Sequence, residues 1–324
     1  MKYPILYVVV PCYNEEKCLD ETTKRLVKKL ADLVSEKKID QSSAVVYVDD
    51  GSKDKTWKKI VELKNDNVIG IKLSRNRGHQ NALLAGLMYA KEHADVVISM
   101  DADLQDDINA IDKMIEKYSE GYEVVYGVRS ERKKDTFFKR CTAQGFYKVM
   151  NAMGAEVIYN SADYRLMSKR ALNELANYKE VNLFIRGIVP LIGLKWTTVS
   201  YSRAERFAGE SKYPLKKMLS FAWDGITSFS VKPLRMILLL GIIVCLLSFI
   251  VLIYSLIQHI CGNTVDGWTF TVCSIWIVGG LEMACIGLIG EYIGKIYSET
   301  KGRPRFFVEE IHYSNGKEKK NVKK

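Results

Sequence analysis

The run "VVISMDADLQDD", Val96 to Asp107, passes from apolar residues into four carboxylates within seven positions, Asp101, Asp103, Asp106 and Asp107. Like charges that close repel, and taking them out of water raises the cost, so a cation or a proton donor is the usual reason to gather them. A merely solvated polar loop is the alternative. Two further polar motifs stand in the same relation to an apolar run: "VVVPCYNEE" around Pro11 and "VVYVDDGSKDKT" around Asp49 and Asp50. If all three close strands of one parallel sheet, they share a rim and can converge on one ligand, because ligands in such folds bind beyond the carboxyl ends of the strands.

The elements needed to position these motifs are legible in the pattern. The runs "ILYVVV", "AVVYV", "VIGIKL", "DVVISM" and "EVVYG" alternate with amphipathic stretches, the first of which repeats Leu19, Leu26, Val27, Leu30, Leu33 and Val34 at helical spacing. Strands alternating with helices predict a mainly parallel sheet covered on both faces.

The chain has 324 residues and a net charge of +10, gathered in two places. Arg129 to Lys148 holds seven basic residues against two acidic ones, and Tyr292 to Lys324 nine against four. Such clusters suit phosphate groups, of nucleic acid or of an anionic membrane and its substrates. The seven cysteines form no CxxC pair and the histidines do not cluster, so neither a disulfide framework nor a zinc site is indicated. The apolar start is too short and too soon charged for a signal peptide, which predicts that the N-terminal part stays in the cytoplasm.

The C-terminal third changes character. Met236 to Ile257 is uncharged and strongly apolar, and about 20 such residues cross a bilayer as a helix. A second span, Trp268 to Ile293, is interrupted by Glu282 and Glu291. Lys232 and Arg235 precede the pair while Lys295, Lys301, Arg303 and Arg305 follow it, so the positive-inside rule places both outer ends in the cytoplasm. Pro214 to Val231 reads either as a helix lying on the membrane surface or as an ordinary packing helix.

The motifs "PCYNEE", "VDDGSKDKT", "SRNRGHQNALLAG", "DADLQD", "SADYRL" and "RFAGESKYPLKKM", followed by two spans and "GEYIGKIYSETKGRP", resemble the polyisoprenyl-phosphate glycosyltransferases of glycosyltransferase family 2, from Pro4 to about Phe307. That group includes bactoprenol glucosyltransferases and dolichol-phosphate mannose synthases. The resemblance implies an α/β domain of GT-A type over residues 1–213, a juxtamembrane amphipathic segment over 214–234, two transmembrane helices within 235–294 at about 236–257 and 268–293, and a basic cytoplasmic tail over 295–324. It also implies a multi-pass protein of the bacterial plasma (inner) membrane, with its catalytic domain and both termini cytoplasmic.

The resemblance assigns roles residue by residue. Asp103, with Asp101, would hold Mg²⁺ or Mn²⁺ against the diphosphate of a nucleotide sugar, Asp101 could instead contact ribose, and Gln105 would touch the sugar or support the ligands. Pro11, Tyr13, Glu15 and Asp50 would form the nucleoside pocket, although Asp49 and Asp50 also fit a turn that caps the next helix. Arg129 falls where diphosphate is bound, and Arg140, Arg203, Arg206, Ser211 and Lys212 where a lipid phosphate is bound at membrane height. Asp163 matches the position of a catalytic base. A lipid monophosphate, however, has a second pKa of about 6 and needs little help to become a nucleophile, so Asp163 could equally orient a substrate.

The expected reaction is inverting transfer of glucose or N-acetylglucosamine from a UDP-sugar to undecaprenyl phosphate. Alternatives are a GDP-mannose donor or a non-catalytic nucleotide-sugar-binding membrane regulator. The expected partners are the donor, the polyprenyl phosphate, the bilayer and further copies of the chain in a homo-oligomer, conceivably a tetramer; nucleic acid is not among them.

Overall fold

The structure, a computed structural model, describes residues 3–130, 158, 160–181, 183–202, 227, 232–261 and 267–314. Among these, the strands are β1 (Leu6–Cys12), β2 (Ala44–Asp49), β3 (Val68–Leu73), β4 (Val96–Ser99), β5 (Val124–Arg129), β6 (Ser161–Ser168), β7 (Trp196–Tyr201) and β8 (Val308–Tyr313). The helices are α1 (Leu19–Ser35), α2 (Thr56–Glu62), α3 (His79–His93), α4 (Ala110–Ser119), α5 (Lys169–Leu175), α6 (Ile185–Leu191), α7 (Lys232–Ile260) and α8 (Trp268–Thr300).

The strands form one sheet in the order β7-β5-β6-β4-β1-β2-β3-β8. β1 pairs in parallel with β2 and β4, β2 with β3, and β5 with β7, whereas β6 and β8 run antiparallel to their neighbours. The sheet is thus mainly parallel, as the alternation of strands and helices predicts. Burial on both faces explains why β1 is an almost unbroken apolar run. Leu6, Val8 and Val10 pack with Leu19, Leu26 and Leu33 of α1 and Ile111 and Met114 of α4, while Tyr7 and Val9 point to the opposite layer, with Leu83 and Leu87 of α3 and Leu172 of α5. At Gly86 of α3 an added Cβ would lie 2.4 Å from Val9 Cγ1, so this glycine is what lets the helix lie close on the sheet.

α7 and α8, of 29 and 33 residues, are about 43 and 50 Å long at 1.5 Å per residue. Their surfaces are apolar and uncovered, Met283 being 69% exposed. Among the described residues, Ile277–Thr300 is long and apolar enough to cross a bilayer.

After α8 the chain returns to the sheet. Val308–Tyr313, inside the segment read as a basic tail, adds β8 to the edge of β3, with Ser74 N donating to Phe307 O (3.0 Å) and Lys72 Nζ paired to Glu309 Oε1 (3.0 Å). On the way, Glu299 accepts from Val181 N (2.7 Å) and Arg305 Nη2 donates to Tyr178 O (2.7 Å). The end of the hairpin that follows α8 is therefore fastened to the sheet-bearing domain.

Candidate functional site

Parallel pairing brings the three polar motifs to one rim. Cys12 is opposite Asp49 and Val9 is opposite Ser99, so the loops after β1, β2 and β4 leave neighbouring strands at the same edge.

The first two loops are stitched together. Asn14, at φ 55°, donates its backbone N–H to Ser52 Oγ (2.9 Å) and accepts from Lys53 N with its side-chain Oδ1 (2.8 Å). Glu15 N donates to Thr56 Oγ1 (2.9 Å). Tyr13 is exposed at this edge, and Glu15 half-buried; Pro11 is buried within β1, opposite Val48, where it packs in the sheet.

Asp50 is buried and accepts from Arg77 N (2.7 Å) and Gly78 N (2.9 Å), so it shapes the loop that enters α3. Burial raises its pKa and these amides oppose the rise. Of the two readings of the Asp-Asp pair, the turn is visible at Asp49, whose carboxylate takes Ser52 N at 3.3 Å. Asp50 instead reaches across to the loop after β3. Gly51, at φ +65°, could not be replaced without strain, since a Cβ there would meet Asn76 N at 2.6 Å.

In the third loop Asp103 is buried and Oδ1 accepts from Gln105 N (3.1 Å), while half-buried Gln105 turns beside Leu104, at φ 58°. Thr22 Oγ1 of α1 donates to Ala102 O (2.9 Å) and pins the loop. Asp101 keeps 37% of its side chain exposed. Its pKa is raised by burial, opposed by His79, and raised further by Asp163 and Asp103. Among the described residues no three His, Cys, Asp or Glu side chains form a metal-holding group. Two hard carboxylates at a strand end nonetheless fit a divalent cation that completes its shell with water and substrate phosphate.

Antiparallel β6 supplies the other half of the site. Ser99 pairs with Arg165, so the same register carries Asp163 opposite Asp101. Asp163 is buried and fully engaged: Arg165 Nη2 (2.7 Å) and Arg186 Nε (3.0 Å) donate to Oδ1, and Arg186 Nη2 (2.9 Å) and Gln80 Nε2 (3.3 Å) donate to Oδ2. His79 Nε2 bridges Asp163 Oδ2 and Asp101 Oδ1 at 3.6 Å each. Burial pushes the Asp163 pKa up, but Arg186, the His79 hydrogen bond and Arg165 outweigh it and hold the carboxyl well below the usual range. The imidazole of His79, which burial alone would lower, is raised to about 9 by Asp163 and Asp101.

Beyond this cluster, Arg129 Nε at the end of β5 donates to Tyr201 Oη (3.4 Å), which donates to Asp106 Oδ1 (2.6 Å). Asp106 is raised to about 6, by burial and by the charge of Asp101, against the pull of Tyr201 and Arg129.

The structure thus gathers Asp50, Asp101, Asp103, Gln105, Arg129 and Asp163 along one rim of the sheet, with Tyr13 and Glu15 at its edge. Arg140, Arg203, Arg206, Ser211 and Lys212 lie outside the described residues, as does all of Pro214 to Val231 except Thr227. His79, Gln80, Arg165, Arg186 and Tyr201 were not singled out from sequence. His79, Gln80 and Arg165 stand inside quoted motifs, which is a signal that could have found them; Arg186, in "NLFIRGIVP", carries none.

Residues 7–176 match Glycosyl transferase family 2. The chain belongs to glycosyltransferase family 2. Residues 232–296 match the GtrB C-terminal hairpin, so this family 2 domain is followed by a hairpin of named type spanning α7 and most of α8. The chain is 55% identical to an uncharacterized glycosyltransferase, YkoT of Bacillus subtilis, over 94% of this chain and 91% of that one. It is 38% identical to the bactoprenol glucosyl transferase of Shigella phage SfII, over 95% and 98%. It is 37% identical to a prophage bactoprenol glucosyl transferase homolog of Escherichia coli K12, over 94% and 98%.

Proposed function

We propose that this family 2 glycosyltransferase moves a hexose, glucose or N-acetylglucosamine, from its UDP form to a polyprenyl phosphate such as undecaprenyl phosphate. The observation that carries the reading is the convergence of the loops after β1, β2 and β4 with β6 on one cleft, in a chain that aligns over nearly its whole length with bactoprenol glucosyl transferases.

In this reading Tyr13, Glu15 and Asp50 bound the nucleoside, with Pro11 supporting them from within β1, and Gln105 faces the sugar. Asp101 and Asp103 would hold Mg²⁺ or Mn²⁺, which supplies positive charge against the diphosphate when bound. Arg129, fixed by Tyr201, would add a donor to the diphosphate. The lipid phosphate would meet Arg140, Arg203, Arg206, Ser211 and Lys212. A phosphate oxygen of the acceptor attacks the anomeric carbon, the bond from that carbon to the UDP oxygen breaks, and UDP leaves with the electron pair, which inverts the configuration.

The hairpin would sit in the plasma membrane with the catalytic domain and both termini on the cytoplasmic side. Supporting this topology, the chain after α8 returns to the sheet as β8, which keeps the C-terminal end of the hairpin on the side of that domain. The flanking bases Lys232, Arg235, Lys301, Arg303 and Arg305 favour the cytoplasmic side.

The test is a donor screen with the purified full chain in mild detergent. UDP-glucose, UDP-N-acetylglucosamine and GDP-mannose are each incubated with undecaprenyl phosphate and Mg²⁺ or Mn²⁺, and lipid products are identified by mass. A hexosyl phospholipid from one UDP-sugar is the expected result. Product from GDP-mannose alone would overturn the donor assignment, and no product from any donor would overturn the reaction.

A further inference from the structure

Beyond the charge it sets at the end of the hairpin, the motif "GEYIGKIYSETKGRP" reaches into the sheet-bearing domain through Glu299 and, directly after it, Arg305. Glu299, in the last turn of α8, accepts from Val181 N with both carboxylate oxygens (2.7 and 2.8 Å). Arg305 Nη2 donates to Tyr178 O (2.7 Å). Both contacts fall on the segment between α5 and α6, and both are charge-assisted hydrogen bonds, the stronger kind. Glu180 lies close to the two charges: burial and Glu299 raise its pKa, and Arg305 opposes the rise.

The clamped segment leads straight into the ion-paired cluster. Arg186, in the first turn of α6, follows Val181 by five residues, at most about 18 Å of chain. It donates to both oxygens of Asp163 (3.0 and 2.9 Å). Ile185 beside it is held on both sides of its backbone, its N–H donating to Gln80 Oε1 (3.2 Å) and its carbonyl accepting from Arg165 Nη1 (3.2 Å). Gln80 Nε2 in turn donates to Asp163 Oδ2 (3.3 Å), and His79 links Asp163 to Asp101 at 3.6 Å each. α6 has only seven residues, and isolated helices shorter than about 12 to 15 residues are marginal in water. Its position therefore depends on its packing and on what holds the chain that enters it.

We propose that Glu299 and Arg305 are positioning residues for the transfer reaction: by clamping Val181 and Tyr178 they set α6, and with it the cluster of Arg186, Asp163 and His79 beside Asp101. The hairpin then sets the geometry of the catalytic domain that carries it. The inference rests on the glycosyl-transfer reading above.

The parent is compared with Glu299→Ala, Glu299→Gln, Arg305→Gln, Arg186→Gln, and Glu299→Ala combined with Arg186→Gln, all as full chains in lipid nanodiscs. Amide hydrogen exchange is followed over residues 183–190, with β2 as the internal reference. In parallel, kcat, KM for the donor found by the screen and KM for undecaprenyl phosphate are measured. Glu299 is exposed, so its replacement should leave the thermal midpoint close to the parent's. Glu299→Ala should speed exchange over 183–190 about five- to tenfold and lower kcat by a similar factor, the loss of one charge-assisted contact. Both KM values should stay within about twofold. Glu299→Gln, which keeps one acceptor oxygen for Val181 N, should recover part of each effect, and Arg305→Gln should resemble Glu299→Ala.

Because Glu299 acts through α6, adding Glu299→Ala to Arg186→Gln should cost less than about twofold more in kcat. Losses that multiply in the double variant would overturn the positioning role. Unchanged exchange over 183–190, or faster exchange with a parental kcat, would overturn the coupling. A change confined to KM for undecaprenyl phosphate would mean that the end of α8 meets the lipid, and would overturn it too. Where Glu299→Ala does not fold, Glu299→Gln and Arg305→Gln are read by the same two measurements. A parent that forms no glycosyl lipid sinks the reaction reading and the catalytic part of this inference with it, whereas a productive parent matched by Glu299→Ala sinks only the inference.

Discussion

The two halves of the site rim deal with buried carboxylates differently. Around β1 and β2, Asp49 and Asp50 are satisfied by backbone amides of Ser52, Arg77 and Gly78, so their charge is absorbed by the loops they shape. Around β6, Asp163 is satisfied by arginines, and its charge is spent on holding cations. The first arrangement ties the loops after β1, β2 and β3 to one another through main-chain donors. The second holds charges of both signs in place, Asp163 and Asp101 against Arg165, Arg186 and His79.

Breaking the ion-paired half should have the larger effect on stability. Asp163→Asn leaves Arg165 buried without its anion, and removing one partner of a buried pair costs about 3 to 5 kcal/mol. Thermal unfolding should show a clear drop in midpoint. The pH dependence has a definite sign. A carboxyl held below its ordinary pKa adds stability above about pH 4 and loses it as pH falls through the depressed value, so the gap between parent and Asp163→Asn should narrow on acidification. A gap that widens at low pH would mean that the carboxylate is not held by cations.

The amide-satisfied half should respond less. Ser52→Ala deletes the acceptor for Asn14 N and should cost about 1 kcal/mol, with a modest rise in KM for the nucleotide sugar and none for the lipid. An effect as large as that of Asp163→Asn would erase the contrast between the halves.

Which half could be read from the sequence follows from how each is built. The amide-satisfied side and the DAD loop are contiguous motifs at the ends of β1, β2 and β4, and the alternation of apolar strands and amphipathic helices already places them on one rim. The ion-paired side draws His79 from the start of α3, Asp163 and Arg165 from β6, and Arg186 from α6, three elements far apart in the chain. β6 enters antiparallel, between β4 and β5, which alternation of strands and helices does not predict. β8 escaped notice for a related reason: "VEEIHY" alternates weakly within a basic segment, and only pairing with β3 makes it a strand.

The measurement that bears most directly on the whole account is glycosyl-lipid formation by the purified parent and by Asp103→Asn, with and without EDTA. Asp103 lies at the end of β4 where the two halves meet, and removing a charge-stabilising group from such a site typically costs about 10²- to 10³-fold in rate. The parent should convert its nucleotide sugar and undecaprenyl phosphate to product, stop in EDTA and recover with Mg²⁺ or Mn²⁺, while Asp103→Asn stays near background throughout. An Asp103→Asn protein that transfers sugar at the parental rate in EDTA would contradict the account, because the cleft described here would then not be where the sugar moves.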